Sequence, residues 1–408
     1  MFDFNRIFPQ DILPETGRWT GFPRFNFVGG HNDETFIPVD ALKASAAAIL
    51  DQHGSRLATY GLGDGPLGFL GLRKFLSASL KTRAGITASV DEILLVSGSL
   101  QALDLVNQTL LRPGDTVVIE ESNYGGVYSR FHRLGVNFVG VPTDEHGMCI
   151  DALETVLADL NTAGTPPRLI YTIPTVQNPT GTIMPENRRR DLLAAAKKFD
   201  LPVFEDDCYA DLTFDGLRPP AIHALDTEGR VIYCGSFSKS VAPALRVGYL
   251  VASQAFLARA VSYKTDAGSG ALEQMILADF CIRTFDTHVK KLATHLAGKA
   301  DFICAALDRY FGASAEYRRP AGGIFIWVRL PAIVDTSRLA EIAATKGIAI
   351  NPGVEWSSAT DARHHISLCF GYGDEAMINT GIQRLAELCQ LEFGVPKQID
   401  NKIDPKMI

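Results

Sequence analysis

The sequence has no paired cysteines, no apolar run long enough to span a membrane and no excess of positive charge. Its seven cysteines are scattered without a Cys-x-x-Cys pair, which argues against a disulfide framework or a zinc site and predicts a reducing, cytoplasmic location. The net charge of -7 gives no reason to expect nucleic acid or an anionic membrane as a partner. The amino terminus also lacks the basic segment and apolar run of a signal peptide.

The composition is that of an ordinary globular protein, and 408 residues are enough for two domains. Residues 1–37 are rich in proline, glycine and aromatic residues and are typical of an irregular N-terminal arm. We predict a large cofactor-binding α/β domain over residues 38–290, although its first helix could belong to the small domain. A small α+β domain over residues 291–393 and a loose tail over residues 394–408 complete the prediction.

Short apolar segments alternate with helical segments from Asp91 onward. This alternation predicts a mostly parallel, seven-stranded sheet with helices on both faces. The predicted strands are Ile93–Ser97, Thr116–Glu120, Val136–Val141, Leu169–Ile173, Pro202–Glu205, Val231–Ser236 and Val247–Val251. Ligands bind beyond the carboxyl ends of the strands in such sheets. Polar residues that follow these strands are therefore the first candidates for a functional site.

The segment after the sixth predicted strand carries a lysine preceded and followed by serines, with an arginine seven residues later: Ser236-Phe237-Ser238-Lys239 and Arg246. A lysine beside a buried strand is partly desolvated, which lowers its pKa and leaves more free amine to attack a carbonyl. Hydroxyl groups and an arginine suit a phosphate dianion. Together these features indicate pyridoxal phosphate. Taken alone, the segment fits a solvated loop with ordinary charges equally well.

Other strand ends carry side chains that suit the same cofactor. Ser99 begins a predicted helix, where free N–H groups bind anions or where the serine simply caps the helix. Tyr124 could stack on a flat ring and Asn178 could hold a phenolic oxygen, although a structural tyrosine and a plain turn explain them as well. Asp206 could keep a pyridine nitrogen protonated. Adjacent acids also bind metals, but no histidine cluster supports a metal site here.

Three motifs resemble the fold-type I pyridoxal-phosphate enzymes of the class I/II aminotransferase kind, and most closely the group of 2-aminoadipate and kynurenine aminotransferases. They are Gln177-Asn178-Pro179-Thr180-Gly181, Glu205-Asp206-Asp207-x-Tyr209, and Ser236-Phe237-Ser238-Lys239 with Arg246. The resemblance covers most of the chain, from residue 25 to residue 392. It implies an aspartate-aminotransferase-like fold and transfer of an amino group from an amine or amino acid to a keto acid or aldehyde.

The resemblance also implies a role for each matching residue. Lys239 forms a Schiff base with the cofactor and moves the proton, Asp206 pairs with the pyridine nitrogen, and Tyr209 acts with Asn178 on the phenolic oxygen. The phosphate and ring contacts implied are those of Ser99, Leu100, Gln101, Tyr124, Ser236, Ser238 and Arg246. Tyr60 would reach the phosphate in a partner subunit, which implies a homodimer with shared active sites. Gly30 would lie over the substrate, and no metal is implied.

One position departs from the family. Its small-domain strand carries an arginine that clamps the substrate's α-carboxylate, and this chain has Ser367 there. A serine cannot replace a bidentate arginine. Either Arg363, or Arg24 or Arg18 in the arm, supplies the contact, or the substrate has no α-carboxylate in that place. Surface charge is the simpler interpretation of each of these arginines.

The departure keeps a second class of reaction open. The orientation of the substrate decides which bond breaks in pyridoxal-phosphate chemistry, and the clamp helps to set that orientation. A lyase, racemase, decarboxylase, or amino-acid oxidase or cyclase on the same scaffold is therefore the alternative to an aminotransferase. The absorption spectrum separates the two, because transamination alone leaves the cofactor in its amine form.

Overall fold

The computed structural model describes residues 2–9, 18 and 21–396, so the predicted tail lies outside the described residues except for 394–396. The helices are α1 (Val39–His53), α2 (Leu70–Ala84), α3 (Ser99–Leu110), α4 (Gly125–Leu134), α5 (Ile150–Thr162), α6 (Glu186–Lys198), α7 (Ile222–Leu225), α8 (Gln254–Tyr263), α9 (Ala271–Tyr310), α10 (Thr336–Thr345) and α11 (Glu375–Phe393). The strands are β1 (Phe25–Asn26), β2 (Ile93–Val96), β3 (Thr116–Glu120), β4 (Asn137–Val141), β5 (Thr143–Asp144), β6 (Gly147–Met148), β7 (Leu169–Thr172), β8 (Val203–Asp206), β9 (Val231–Ser236), β10 (Gly248–Val251), β11 (Glu316–Tyr317), β12 (Phe325–Arg329), β13 (Ile348–Ala349), β14 (Asn351–Pro352) and β15 (His365–Cys369).

A seven-stranded sheet in the order β2-β10-β9-β8-β7-β3-β4 forms the centre of the fold. Neighbouring strands from β9 to β4 are parallel, and β10 runs antiparallel to both β2 and β9. Every residue of β9 is buried, as expected for a strand covered by helices on both faces. The predicted fold class is confirmed, and β3 and β9 have the bounds that the sequence predicted.

Separate apolar cores cover the two faces of this sheet. One contains residues of α3 and α4 and extends to α8, and the other contains residues of α5 and α6. Charged residues stabilise the two ends of α6 by opposing the helix dipole. Glu186 lies in the first turn, and Lys197 and Lys198 lie in the last. The helices therefore bury their apolar residues against the two faces of the sheet.

A smaller antiparallel sheet in the order β11-β12-β15-β14 packs on α9, α10 and α11. Phe25 and Asn26 of the arm join this part of the structure, because β1 pairs in parallel with β13. Helix α11 begins at the cap residue Asp374, whose side chain accepts a hydrogen bond from Met377 N, and ends at Gly394 in the left-handed conformation.

The longest helix crosses the predicted boundary between the two domains at residues 290 and 291. Its first half packs in the core that contains α2, and its last turns pack in the core of the small sheet. The division into domains stays a prediction, and α9 links its two halves without a break over 40 residues. Within the described residues, every helix is too short or too polar to span a bilayer.

Candidate active site

A cavity of about 430 Å³ lies at the carboxyl ends of the parallel strands and faces the small sheet. Most residues that the sequence singled out line it. They are Gly30, Ser99, Leu100, Tyr124, Asn178, Asp206, Tyr209, Ser236, Ser238, Lys239 and Arg246. The remaining six are not among its lining residues: Arg18, Arg24, Tyr60, Gln101, Arg363 and Ser367. Folding therefore brings together the motifs that lie far apart in the sequence.

Lys239 follows β9 and extends into this cavity. Its Nζ donates a hydrogen bond to the carbonyl oxygen of Gly30 at 2.6 Å. A Cβ atom on Gly30 would lie 3.0 Å from that Nζ, and the backbone has a φ of +61°, so glycine suits this position. Burial lowers the pKa of the Lys239 amine below its usual value. More of the amine is therefore uncharged and nucleophilic than in a solvated lysine.

Residues 30–33, which we call the clasp, hold the arm against the lysine. Asn32 Nδ2 donates to the backbone carbonyl of Lys239 at 3.3 Å. Asp33 accepts hydrogen bonds from the nearly inaccessible Lys299 at 2.6 Å and from His295 at 2.9 Å. Burial alone would raise the pKa of Asp33, but these hydrogen bonds outweigh it and hold that pKa well below its usual range. The clasp is thus tied to both β9 and α9.

Asp206 ends β8 and lines the cavity, and one of its two carboxylate oxygens has no hydrogen-bond partner within the residues that the structure describes. Its Oδ2 accepts a hydrogen bond from Tyr171 Oη at 2.6 Å, and its Oδ1 is buried without a partner among the described residues. Burial raises the pKa of this carboxyl group. An unpaired buried carboxylate oxygen is costly unless a ligand donates to it. A protonated pyridine nitrogen is such a donor, so Asp206 fits the cofactor.

Two side chains of the cavity, Asn178 and Tyr209, suit the phenolic oxygen of a pyridoxal ring. Asn178 Nδ2 donates to Tyr209 Oη at 3.5 Å, and Asn178 Oδ1 is buried without a partner in the described part of the chain. Burial raises the pKa of Tyr209 well above its usual value, so its hydroxyl remains a hydrogen-bond donor. The two side chains can therefore hold an oxygen between them.

An anion site lies at the opposite end of the cavity. Helix α3 begins at Ser99 without a side-chain cap, so its first N–H groups face the cavity end where Arg246 lies. Arg246 donates to Ser238 Oγ at 3.4 Å and to Ser97 O at 3.3 Å. A Cβ atom on Gly98 would overlap the Arg246 guanidinium, and its φ of +76° also favours glycine. A phosphate fits this combination of helix N-terminus, arginine and serine.

The residues outside the cavity have different surroundings. Gln101 Oε1 accepts from Ser97 N at 2.7 Å and its Nε2 donates to Asp266 at 2.8 Å, so its side chain turns away from the anion site. Tyr60 is 88% exposed. Arg363 is exposed and donates to His364 Nε2 at 3.1 Å. Arg24 and Arg18 are also exposed, and neither lines the cavity. Ser367 is fully buried in β15.

Several cavity residues escaped the sequence analysis. Trp356 packs edge-on against Tyr124, with 5.7 Å between ring centroids, and Asn351 lines the same wall. Tyr171 could have been found, because β7 lies beside β8 and a side chain near its end is within reach of Asp206. Trp356 and Asn351 belong to the small-sheet region, and nothing in their local sequence indicates that they face the strand ends of the large sheet.

One group of side chains near the cavity could in principle hold a metal ion. Ligand atoms of Asp206, Cys208 and Cys234 lie within 4.8 Å of one another. Metals bind cysteine as thiolate. The hydrogen bond with Cys234, together with burial, raises the pKa of Cys208 well above its usual value. These thiols therefore favour the protonated form, and the cofactor accounts better for the free oxygen of Asp206.

Comparisons with known proteins agree with this geometry. Residues 33–385 match the family model described as aminotransferase class I and II. Aromatic-amino-acid aminotransferase 1 of Thermococcus litoralis is 34% identical over 88% of this chain and 86% of that protein. The solved multiple substrate aminotransferase of Thermococcus profundus has a TM-score of 0.88 and 31% identity, covering 96% of this chain and 100% of that one. A Pyrococcus horikoshii kynurenine aminotransferase, solved in complex with PMP, has a TM-score of 0.87 and 32% identity over 96% of this chain and 98% of that one.

Proposed function

This chain belongs to the class I and II aminotransferase family, and from that membership we propose how the residues of its cavity divide the work. It is a pyridoxal-phosphate-dependent aminotransferase, so the enzyme class and cofactor predicted from the sequence are confirmed. One observation supports this assignment of roles. The free buried oxygen of Asp206 shares a cavity with the desolvated amine of Lys239.

Bound pyridoxal phosphate supplies an electron sink for the carbon that carries the amine. Lys239 Nζ would hold the cofactor covalently, and as a free amine it would carry the proton that the amine-bearing carbon loses to the carbon of the cofactor that receives it. Its lowered pKa suits both tasks, because each needs an uncharged amine. Gly30 O accepts a hydrogen bond from Nζ and so orients the amine between these tasks.

The remaining cavity residues hold the cofactor in place. Asp206 would accept a hydrogen bond from the protonated pyridine nitrogen, and Asn178 with Tyr209 would hold the phenolic oxygen. Arg246 and Ser238, with the first N–H groups of α3, bind the phosphate. Tyr124 and Leu100 line the cavity beside them, and Ser236 and Ser99 add hydroxyl groups at its anion end. Gln101 contributes through its backbone, since its side chain is bonded elsewhere.

The half-reactions test this function directly. Holoenzyme mixed with an amine donor should lose the visible absorbance of the lysine-bound cofactor, and a keto acid or aldehyde should restore it. Net transfer needs both steps, because the cofactor carries the amino group between the two substrates. A lyase, racemase or decarboxylase would instead keep the original absorbance after each turnover. That second pattern, with product formed from the amine alone, would contradict the aminotransferase assignment.

The exposed Tyr60 supports a homodimer with shared active sites. Tyr60 is 88% exposed at the start of a short turn, so its side chain buries little surface in its own chain. We propose that it crosses to the anion site of a partner subunit and donates its hydroxyl to the phosphate there. The dimer itself and a cytoplasmic location stay predictions from the sequence.

A hybrid of two variants tests the sharing. Tyr60→Phe subunits are expected to need about tenfold more cofactor, because a hydrogen bond to a charged group is lost. After equal mixing with Lys239→Ala subunits, about half the dimers are hybrids. Each hybrid has one complete site, which combines Lys239 of one subunit with Tyr60 of the other. About a quarter of all sites should therefore be complete. Activity is measured at a cofactor concentration that saturates only complete sites. No recovery on mixing, with dimers present by light scattering, would place Tyr60 in its own subunit's site or in none.

A further inference from the structure

Asn351 and Ser367 lie side by side, because they pair directly across the antiparallel strands β14 and β15. Asn351 Nδ2 and Ser367 Oγ are each buried without a hydrogen-bond partner among the described residues. Leaving two neighbouring polar atoms unpaired is costly unless a ligand or water satisfies them. We call these two residues the 351/367 pair.

The pair lies on the face of the small sheet that is turned toward the active site. Ser367 pairs on its other side with Trp327, which shares a sheet face with Phe325 two residues away. Phe325 and Asn351 both line the active-site cavity. Asn351 also lines a neighbouring cavity of about 470 Å³, so this residue stands where the two spaces meet, and the fully buried Ser367 lies directly beside it. A substituent of the substrate that points to the small sheet therefore meets Asn351 first, with Ser367 next to it.

The described part of this chain supplies no spare positive charge at this wall. Among the described residues that line the cavity, Lys239 and Arg246 are the only lysine and the only arginine. Both serve the cofactor in the proposed function. Burial and the nearby Lys239 lower the pKa of His31, so it is neutral at pH 7. The neighbouring cavity is lined by Glu355 and His132, and both residues are exposed. A carboxylate against the pair would therefore meet neutral donors without a cation dedicated to it.

We propose that the 351/367 pair binds an uncharged oxygen of the amine substrate, a hydroxyl or an amide carbonyl on the carbon next to the one that carries the amine. Asn351 Nδ2 and Ser367 Oγ both donate to such an oxygen, which satisfies the two unpaired atoms. A carboxylate in the same place would lose its hydration without gaining a cation. The preferred donors are thus amino alcohols or amino amides rather than free α-amino acids. This inference rests on the proposed function of the same cavity.

The experiment compares three amines that differ only at this group: L-alanine, L-alaninamide and L-alaninol. Each is mixed with holoenzyme, and the rate at which the lysine-bound absorbance disappears is divided by the amine concentration. The amide or the alcohol is expected to react about tenfold faster than the carboxylate, a difference typical of one or two well-placed hydrogen bonds. Faster reaction of L-alanine overturns the inference and leaves the aminotransferase function standing. No reaction with any amine, including longer amino acids, contradicts the proposed function itself.

Two variants tie the preference to these residues. Ser367→Ala and Asn351→Leu each remove one donor, and each is expected to lower the rate with L-alaninol about fivefold to tenfold while changing the rate with L-alanine much less. Ser45→Ala, a buried serine in α1 that is remote from the cavity, is the matched control and should keep the wild-type ratio. Equal losses with all three amines in both folded variants would show a merely structural role for the pair. Thermal unfolding identifies a variant that fails to fold. The rates of the other, folded variant then decide whether the pair binds the substrate.

Discussion

Lys239→Ala is expected to lose transaminase activity by about 10⁴-fold or more, because the variant has neither the amine that attaches the cofactor nor the group that moves the proton. The side chain is only partly buried and makes one hydrogen bond, to Gly30 O at 2.6 Å. Its removal should therefore leave the melting temperature nearly unchanged. The measurement is the steady-state rate with a saturating donor and acceptor, together with thermal unfolding of the cofactor-free protein.

Chemical rescue separates the two tasks of this lysine. A small primary amine in solution, such as methylamine, can enter the cavity that the shortened side chain leaves and accept the substrate proton. Rates that rise with the concentration of the free-base form of the added amine would identify Lys239 as the proton carrier. A folded Lys239→Ala protein with full turnover and no dependence on added amine would remove the central assignment.

Asp206→Asn should have the second largest effect, a loss of about 10³-fold in kcat. The asparagine has the same shape and can still contact Tyr171, but it cannot keep the pyridine nitrogen protonated. The electron sink is weakened while the cavity is preserved, so cofactor should still bind. The measurement is kcat with cofactor content determined in the same samples. Unchanged kcat at full cofactor occupancy would refute the role of the carboxylate.

Tyr171→Phe provides the matched control for that experiment. It removes the hydroxyl that donates to Asp206 Oδ2 at 2.6 Å but leaves Oδ1 available. A loss of about tenfold is expected, since one hydrogen bond to a charged group disappears. A Tyr171→Phe loss as large as that of Asp206→Asn would indicate that placement of this carboxyl group, rather than its charge, limits the rate.

The sequence predicts the large sheet well because most of its strands are short, fully buried apolar runs, although the edge strand β4 is partly exposed. Val231–Ser236 is such a run, and its end places Lys239 at the right edge of the sheet. The cofactor residues follow from the same rule, since they stand directly after predicted strands. Gln101 shows the limit of that rule, because a residue in the right segment can direct its side chain to Asp266 instead.

The substrate side of the cavity could not be predicted in this way. Asn351 belongs to a two-residue strand, which is too short to show any periodicity. Its position depends on pairing with β15 and on the packing of the small sheet against the strand ends. The clasp has the same difficulty, since Asp33 is matched to Lys299 only after α9 has docked. Local patterns contain no information on such distant partners.

The clasp also has a consequence for the order of folding. Gly30 and Asn32 contact residues 209 and 207 positions later in the chain, and Asp33 contacts one that is 266 positions later. Contacts of such high sequence separation form late, because a long loop must lose conformational entropy before the contact can stabilise it. A nascent chain that has completed its large sheet therefore still lacks the contact between Asp33 and Lys299. The clasp is complete only after α9 has docked, and an N-terminal fragment that ends before α9 would lack this anchor of the arm.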